Sequence, residues 1–212
     1  VDVNVNRSNP VIGAASRSFS PEPDSVAASA AAFIEGHHAH GVLTALKHFP
    51  GHGSSHADSH FGFVDVTATW SEAELVPYTA LIGEGLADVV MAAHVFNANL
   101  DSEFPASLSK ATISGLLRAK LGFDGVVMTD SLQMGAITLH WTFEDSIRLA
   151  IEAGADILAY TNALLEPDLC DRVHRAVRSL VDTGVVPVSR LVESFERIQR
   201  LKARLPSPAD GG

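Results

Sequence analysis

The sequence predicts an α/β protein built on a parallel sheet, and three observations support this class. Short β-rich runs alternate with helical stretches along the whole chain. The runs at residues 89–92 and 126–128 are apolar at consecutive positions, which is typical of strands buried on both faces and covered by helices. The 212 residues are 46% hydrophobic and 19% charged, which suits one globular domain with a full core.

Local signals divide the chain into five strands and six helices. Ser71 with Glu74 predicts a capping box, Ser109 predicts the start of the next helix, and Gly122 and Gly154 predict helix ends. The predicted strands cover residues 2–5, 42–47, 89–93, 126–129 and 157–160. The predicted helices cover residues 24–40, 71–85, 110–121, 142–153, 167–183 and 189–204.

The number of strands suggests part of a larger barrel. A complete (β/α)8 TIM-type barrel has about 250 residues, and five strands fit the C-terminal five βα units of such a barrel. Val1 is not a methionine, and residues 2–5 resemble the end of a strand already under way. We therefore expect the true N-terminus to lie upstream, one barrel domain over residues 1–205, and a disordered tail over residues 206–212.

Composition excludes several classes of partner. The net charge is −10, with only 15 lysines and arginines, so we expect no nucleic acid and no anionic membrane surface as a partner. Cys170 is the sole cysteine, which excludes an intrachain disulfide and a cysteine-type zinc site. No apolar stretch approaches the roughly 18 residues that a membrane span needs.

Residues 47–60, called here the histidine segment, carry the most chemical information. Its prolines and glycines and its weak apolar periodicity predict a loop rather than a helix or strand. Loops that follow a buried strand often carry functional side chains. The proton-transfer groups of the segment are Lys47, His48, His52, His56, Asp58 and His60.

Polar residues also follow the other buried strands. Lys47 and His48 end the second predicted strand, His94 follows the third, and Asp130 follows the fourth. Because the carboxyl ends of parallel strands meet at one edge of a sheet, these groups predict an active site there. Asp130 is either a helix cap or a nucleophile or general base, and Lys47 could supply the positive charge that keeps it ionised.

A metal site is the first alternative. The four histidines of the segment recur every four residues, but Pro50 and Gly51 break the helix that would align them, and no His-Glu-x-x-His signature is present. We therefore predict no metal and no cofactor. A metal-dependent barrel hydrolase of the amidohydrolase type stays open, because it also uses strand-end Lys, His and Asp with a His-x-His pair such as His38 and His40.

These residues resemble glycoside hydrolase family 3, specifically its single-domain β-N-acetylglucosaminidase branch. In that branch the histidine segment takes the place of a separate domain that supplies the acid in related β-glucosidases. The matching pieces are residues 2–4, 9–13, 17–19, 47–60, 93–95, 105–109, 123–126 and 129–131.

The resemblance implies a role for each site residue. Asp130 is similar to the family nucleophile, and His60 is similar to the general acid/base, with Asp58 as its partner in a dyad. Arg17, Lys47 and His48 correspond to sugar-binding residues, and His94 to a strand-end residue that lines the site. The spacing between Gly13 and Arg17 is longer than in the family, so the match at Arg17 is the weaker one.

The implied activity is that of a retaining glycosidase that hydrolyses terminal β-linked N-acetylglucosamine through a covalent glycosyl-enzyme intermediate. Histidine, with an ordinary pKa of about 6.5, suits proton transfer near neutrality. The implied substrate is a small carbohydrate, a muropeptide or a chitin fragment, and muropeptide recycling would imply a bacterial cytoplasm. The alternatives are a β-glucosidase, xylosidase or phosphorylase of the same family, and an inactive barrel that only binds sugar.

Overall fold

The computed structural model describes residues 1–162 and 165–206. In chain order the strands are β1 (Ala45–Phe49), β2 (Val64–Asp65), β3 (Val89–Ala92), β4 (Val95–Phe96), β5 (Val126–Ser131) and β6 (Ile157–Ala159). The helices are α1 (Pro23–His38), α2 (Val76–Gly83), α3 (Gly135–Thr138), α4 (Phe143–Ala153), α5 (Leu169–Asp182) and α6 (Val188–Lys202). A π-type helix spans Ala111–Lys120, and 3-10 turns span Glu72–Leu75 and Ala106–Leu108.

The main sheet is parallel, as the sequence predicts. Its strand order is β1-β3-β5-β6, and β2 and β4 form a separate two-stranded parallel sheet. Val90 of β3 and Val127 of β5 are paired in register and have no exposed surface. The core formed around them contains residues from α1, α2, the π-type helix and α4, so helices cover the apolar strands.

The predicted strand at residues 2–5 is wrong. These residues form a loop rather than a strand: the N–H of Asn4 donates to the carbonyl oxygen of Ser20 (3.0 Å), and the N–H of Val5 donates to that of Val3 (2.7 Å). The backbone N–H groups of His48, in β1, and of His52 donate to the Asp2 carboxylate. The His48 N–H therefore bonds to a side chain and not to the backbone of residues 2–5. The main sheet therefore contains four of the five predicted strands within the described residues.

Three other local predictions differ from the structure. Residues 47–49 of the predicted loop are part of β1, which extends to Phe49. Residues 42–44 lie outside β1, because the Asp88 carboxylate accepts the backbone N–H of Thr44 at 2.7 Å. The predicted capping box is also wrong: the Ser71 side chain makes no cap bond, and the Glu74 carboxylate accepts the N–H of Gly53 at 2.9 Å. The Glu74 carboxylate therefore binds the distant N–H of Gly53 and not the N–H of Ser71 that a capping box would use.

The other helix-end signals are confirmed. The Ser109 hydroxyl accepts the N–H of Thr112 at 2.9 Å, as an N-terminal cap does. Gly122 and Gly154 have φ values of +74° and +117°, which glycine adopts without the strain that a Cβ would cause.

A buried carboxylate, that of Asp156, lies at the amino-terminal end of the sheet, just before β6. The side chain of Asp156 has no exposed surface and accepts the backbone N–H of Val127 at 3.0 Å. Its ion-pair partners are Arg118 (2.7 Å), Arg190 (3.3 Å) and Arg197 (3.4 Å).

The predicted domain boundary stays a prediction, and residues 207–212 of the predicted tail lie outside the described residues. Within the part that the structure describes, no helix has the length and apolar character needed to cross a membrane.

Candidate active site

Asp130 lies near the carboxyl end of β5, at the edge of the sheet where β1 and β3 also end. Its side chain is half-buried, and its Oδ1 accepts the backbone N–H of Ser131 at 2.8 Å. The register pairs Phe49 with Ala92 and Ala92 with Thr129, so Asp130 follows the point where three strands meet. The predicted convergence of strand-end groups at one edge is present.

His94 is buried beside Asp130 and is fully occupied by protein partners. Its Nε2 lies 2.9 Å from the carbonyl oxygen of Ser131, and its Nδ1 lies 2.7 Å from the Ser107 hydroxyl. Burial lowers the pKa of His94, although the negative charge of Asp130 acts to raise it. A neutral ring with hydrogen on Nε2 donates to Ser131 and accepts from Ser107. This arrangement positions the strand end that carries Asp130, while direct sugar binding by His94 stays a prediction.

Asp2 anchors the start of the histidine segment, a role for which the only sequence signal is its place in the family-like residues 2–4. The carboxylate pairs with His48 Nδ1 at 2.7 Å and accepts the backbone N–H of His52 at 2.8 Å. Burial alone would raise the pKa of Asp2, but the His48 ion pair and the N–H donors hold it well below its ordinary value.

Arg17 and Lys47, two predicted sugar-binding residues, have different surroundings. An Nη atom of Arg17 lies 3.4 Å from His48 Nε2, so the ring of His48 joins Arg17 to Asp2. Lys47 is exposed on β1, and among the described residues its side chain has no ion pair with Asp130 or any other carboxylate. The idea that Lys47 neutralises Asp130 is therefore not supported by a direct contact.

His52 fixes the interior of the histidine segment rather than its surface. It is buried; its Nδ1 lies 2.7 Å from the Ser55 hydroxyl, and its Nε2 lies 3.2 Å from the Ser59 hydroxyl. The Asn9 amide donates to the His52 carbonyl at 2.6 Å. Next to it, a Cβ on Gly53 would lie 1.6 Å from the Val3 carbonyl oxygen, so only glycine fits there.

His60 and Asp58 form the predicted dyad near the end of the segment. His60 Nδ1 lies 2.6 Å from Asp58 Oδ1, which also accepts the His60 backbone N–H at 2.9 Å. Burial opposes ionisation of Asp58, but the His60 donors hold its pKa below its ordinary value. The imidazole is 55% exposed, so a ligand can reach it.

The segment that carries the dyad lies against the residues after Asp130. The N–H of Gly135 donates to the His60 carbonyl at 3.1 Å, and the N–H of Ala136 donates to the Ser59 carbonyl at 3.2 Å. A Cβ on Gly135 would lie 2.9 Å from the Phe61 carbonyl carbon. The structure thus brings the two predicted catalytic segments together.

The metal-site alternative has no geometric support in the described ranges. Within residues 1–162 and 165–206, no group of three or more His, Cys, Asp or Glu side chains could hold a metal ion. His38, the first histidine of the His-x-His pair, instead bonds to Asp88 at 2.7 Å, before β3 and away from the strand ends that carry the site.

Parallel strands with a polar site at their carboxyl ends are typical of an α/β fold, as a barrel or as an open sheet. The comparisons with known proteins identify this one as TIM-barrel-type. Residues 1–201 match the glycosyl hydrolase family 3 N-terminal domain, and the chain belongs to that family. The resemblance and the fold class inferred from the sequence are both confirmed. The assigned residue roles stay predictions.

The relatives include β-hexosaminidases. One from Tolumonas auensis is 39% identical over 163 residues, covering 76% of this chain and 48% of the relative. β-Hexosaminidase LpqI of Mycobacterium tuberculosis is 36% identical over 219 residues, covering 100% of this chain and 54% of the relative. The chain spans about half the length of these curated relatives.

Solved structures agree with the sequence relatives. A family 3 β-N-acetylglucosaminidase from Paenibacillus sp. has a TM-score of 0.88 at 36% identity, covering 96% of this chain and 38% of that one. A β-N-acetylhexosaminidase from Beutenbergia cavernae has a TM-score of 0.87 at 31% identity, covering 95% of this chain and 60% of that one. A β-glucoside phosphorylase, BglX, has a TM-score of 0.84 at 31% identity, covering 96% of this chain and 37% of that one.

Proposed function

We propose that the protein is a retaining glycosidase that releases terminal β-linked N-acetylglucosamine from a small carbohydrate. The observation that carries this proposal is the contact of the His60–Asp58 segment with Gly135, shortly after Asp130. A retaining glycosidase needs a nucleophile and a proton donor on opposite sides of the scissile bond, and the two segments supply one group each. The names of the β-hexosaminidase relatives support the choice of sugar.

In the first step Asp130 attacks the anomeric carbon and forms a glycosyl ester while the bond to the leaving oxygen breaks. His60 donates its proton to that oxygen, and Asp58 stabilises the imidazolium beforehand. In the second step a water molecule attacks the anomeric carbon, His60 takes a proton from that water, and the ester bond to Asp130 breaks. Asp130 is freed, and the dyad returns to its starting protonation.

The buried groups around Asp130 and His48 support this chemistry by position. His94 holds the Ser131 carbonyl next to Asp130, and Asp2 holds the backbone and ring of His48. Arg17, Lys47 and His48 are the candidates to bind the sugar hydroxyls. Preorganised groups of this kind cost little rearrangement during the reaction.

The test is release of phenol from an aryl β-N-acetylglucosaminide. Asp130→Ala should abolish turnover, and His60→Ala should slow substrates with poor leaving groups far more than substrates with good ones. Equal loss on both types of substrate would contradict the acid role of His60. A folded protein with no turnover would favour an inactive sugar-binding barrel.

A phosphorylase is the second candidate, because one of the structural neighbours is a β-glucoside phosphorylase. Phosphate would then replace water in the second step and yield a sugar 1-phosphate. Turnover with and without added phosphate, with the product identified by NMR, separates the two reactions. A location in the cytoplasm and a muropeptide or chitin-derived substrate stay proposals, which cell fractionation and assays on both types of oligosaccharide would test.

A further inference from the structure

A buried carboxyl group lies beneath the histidine segment. Glu74, in the turn before α2, is 1% exposed, and its Oε2 accepts the backbone N–H of Gly53 at 2.9 Å. Its other oxygen, Oε1, is also buried and has no hydrogen-bond partner among residues 1–162 and 165–206. Because an ionised carboxylate is costly to bury without donors on both oxygens, a proton is expected on Oε1.

The histidine segment is shaped to fit around this carboxyl group. A Cβ on Gly51 would lie 2.6 Å from the Cβ of Glu74 and 2.7 Å from its Oε2, so only glycine lets the backbone approach so closely. The indole N–H of Trp70 donates to the Pro50 carbonyl at 3.1 Å. Residues 50–53 are therefore held by two side chains from the connection before α2, those of Trp70 and Glu74.

The turn at Gly51 is connected to the proposed sugar-binding residues. The Gly51 N–H donates to the His48 carbonyl at 2.8 Å, and His48 Nε2 lies 3.4 Å from an Nη atom of Arg17. A shift of Gly51 therefore moves His48 and changes its contact with Arg17. Since Glu74 is buried and cannot contact a sugar, it can act on the reaction only through this segment.

We propose that Glu74 is a positioning residue: its neutral carboxyl group holds the histidine segment in the form that binds sugar, and its ionisation releases the segment. The inference rests on the proposed function, because it depends on sugar binding by His48. The charged or titratable groups that face Glu74 are Asp2, from the N-terminal loop, and Tyr78, about one turn further along in α2. His48 and His52 are hydrogen-bonded to the Asp2 carboxylate.

The surroundings of Glu74 oppose its ionisation. Burial, together with the negative charge of Asp2, raises the pKa of Glu74 to about 7, although hydrogen bonds from Ser54 and Gly53 act to lower it. Below this pKa the neutral group fits its site. Above it, the buried anion beside Asp2 is stabilised by moving toward water, which removes the acceptor of the Gly53 N–H. Sugar binding should therefore weaken as pH rises.

The first experiment measures kcat/KM on a dinitrophenyl β-N-acetylglucosaminide from one pH unit below to one pH unit above this pKa. This leaving group needs no proton, and kcat/KM covers only the steps up to its release, so the acid and base roles of His60 do not enter. For the unaltered protein we expect a fall of about tenfold, mainly through KM, because the neutral fraction of Glu74 falls from about nine-tenths to about one-tenth. In Glu74→Gln the value should stay level.

Three comparisons isolate the effect of Glu74. Titration of His48 and His52 is common to both proteins, so it cancels in the ratio of their kcat/KM values. Glu84→Gln, which changes an exposed carboxylate at the end of α2, should follow the unaltered protein across the range. Glu74→Ala, which lacks an acceptor for the Gly53 N–H, should be slower than Glu74→Gln at every pH. Parallel profiles for the unaltered protein and Glu74→Gln would overturn the inference and leave the glycosidase proposal intact.

Fluorescence tests the release of the segment without turnover. The chain has two tryptophans, so Trp141→Phe leaves Trp70 as the sole reporter of the contact with Pro50. Its emission should shift to longer wavelength as pH rises through the pKa of Glu74, and adding Glu74→Gln should abolish the shift. An emission that does not change with pH would overturn the inference, even if Glu74→Gln failed to fold. Failure of the unaltered protein to turn over the substrate at any pH would instead defeat the proposed function.

Discussion

The backbone N–H of Gly135 donates to the carbonyl oxygen of His60 at 3.1 Å. This hydrogen bond joins the end of the histidine segment to the start of α3, just beyond the strand that carries Asp130. The proposed proton donor and nucleophile belong to distant parts of the sequence, yet their backbones meet here. Because this contact fixes the backbone of His60, a displacement here should change the position of the proposed proton donor.

Gly135→Ala should separate the two segments. The added Cβ would lie 2.9 Å from the Phe61 carbonyl carbon and 3.0 Å from the His60 oxygen, so the histidine segment must shift. We expect kcat on a substrate with a poor leaving group to fall at least about tenfold, because general acid catalysis depends on sub-ångström placement. The free energy of unfolding should also fall, by about 1–3 kcal/mol, because the added Cβ meets backbone atoms rather than a flexible side chain.

Gly36→Ala is the control for that substitution. Gly36 lies within α1 with no atom near the position of a Cβ, so alanine there should leave kcat unchanged and stabilise the protein by up to about 1 kcal/mol. Urea denaturation and steady-state kinetics of both variants give the comparison. Unchanged kinetics in Gly135→Ala would show that the contact does not position His60.

Asp58→Ala should weaken proton donation without removing the donor. The substitution deletes the acceptor of the His60 Nδ1 and backbone N–H bonds, at 2.6 and 2.9 Å, so the imidazole loses its orientation. We expect kcat on an alkyl glycoside to fall about 10- to 100-fold, less than in His60→Ala, and kcat on a nitrophenyl glycoside to fall less. Glu84→Ala, an exposed carboxylate at the end of α2, should change neither rate. Equal losses on the two glycosides would remove Asp58 from the acid step.

Asp156→Ala should be strongly destabilising. The substitution leaves Arg118, Arg190 and Arg197 without the buried carboxylate that faces them, and it leaves the N–H of Val127 without its acceptor. Removing one partner of a buried ion pair typically costs about 3–5 kcal/mol in the free energy of unfolding.

The exposed pair of Arg178 and Asp182 on α5 provides the comparison, since both side chains are more than half exposed. Breaking it with Asp182→Ala should cost less than about 0.5 kcal/mol. If urea denaturation gave similar values for Asp156→Ala and Asp182→Ala, the buried arginine cluster would not contribute to stability in the way proposed.

Sequence patterns predict the site best where the same pattern, an apolar strand followed by a polar residue, recurs along the chain. Apolar runs buried on both faces predict a parallel sheet, and parallel strands bring their carboxyl ends together, so the sequence alone assigns His94 and Asp130 to one edge. The Asp58–His60 pair is close in sequence and forms within a single turn, so its spacing makes the contact possible whatever the rest of the fold does.

The residues that sequence patterns miss depend on contacts between distant segments. The local pattern predicts a strand at Asp2, but its carboxylate finds donors at His48 and His52, in a segment that local patterns cannot connect to it. Glu74 fits a capping box by spacing, yet it turns toward Gly53. Lys47 has the right position to pair with Asp130, but strand direction alone does not determine where a long side chain lies. For Asp2 and Glu74, tertiary contacts decide the outcome.

Glu74 should make stability depend on pH in the direction opposite to that of most carboxylates. It is 1% exposed beneath the histidine segment, and burial raises its pKa from 4.5 to about 7, with a further contribution from the charge of Asp2. Below pH 4.5 the side chain is protonated in both states. Between pH 4.5 and about 7 the unfolded chain ionises while the folded protein keeps its proton, so the free energy of unfolding falls as pH rises.

Glu74→Gln should remove this dependence while keeping an acceptor for the N–H of Gly53. The stability of the unaltered protein relative to Glu74→Gln should therefore drop by up to about 3 kcal/mol between pH 4.5 and pH 7 and level off above that range. Urea denaturation of both proteins at several pH values measures the difference, in which the titration of all other groups largely cancels. Glu84→Gln, at an exposed position, serves as the control for the loss of a surface carboxylate. A Glu74→Gln difference that stays flat across the range would show that Glu74 ionises equally easily in the folded and unfolded states, and that its burial does not control its charge.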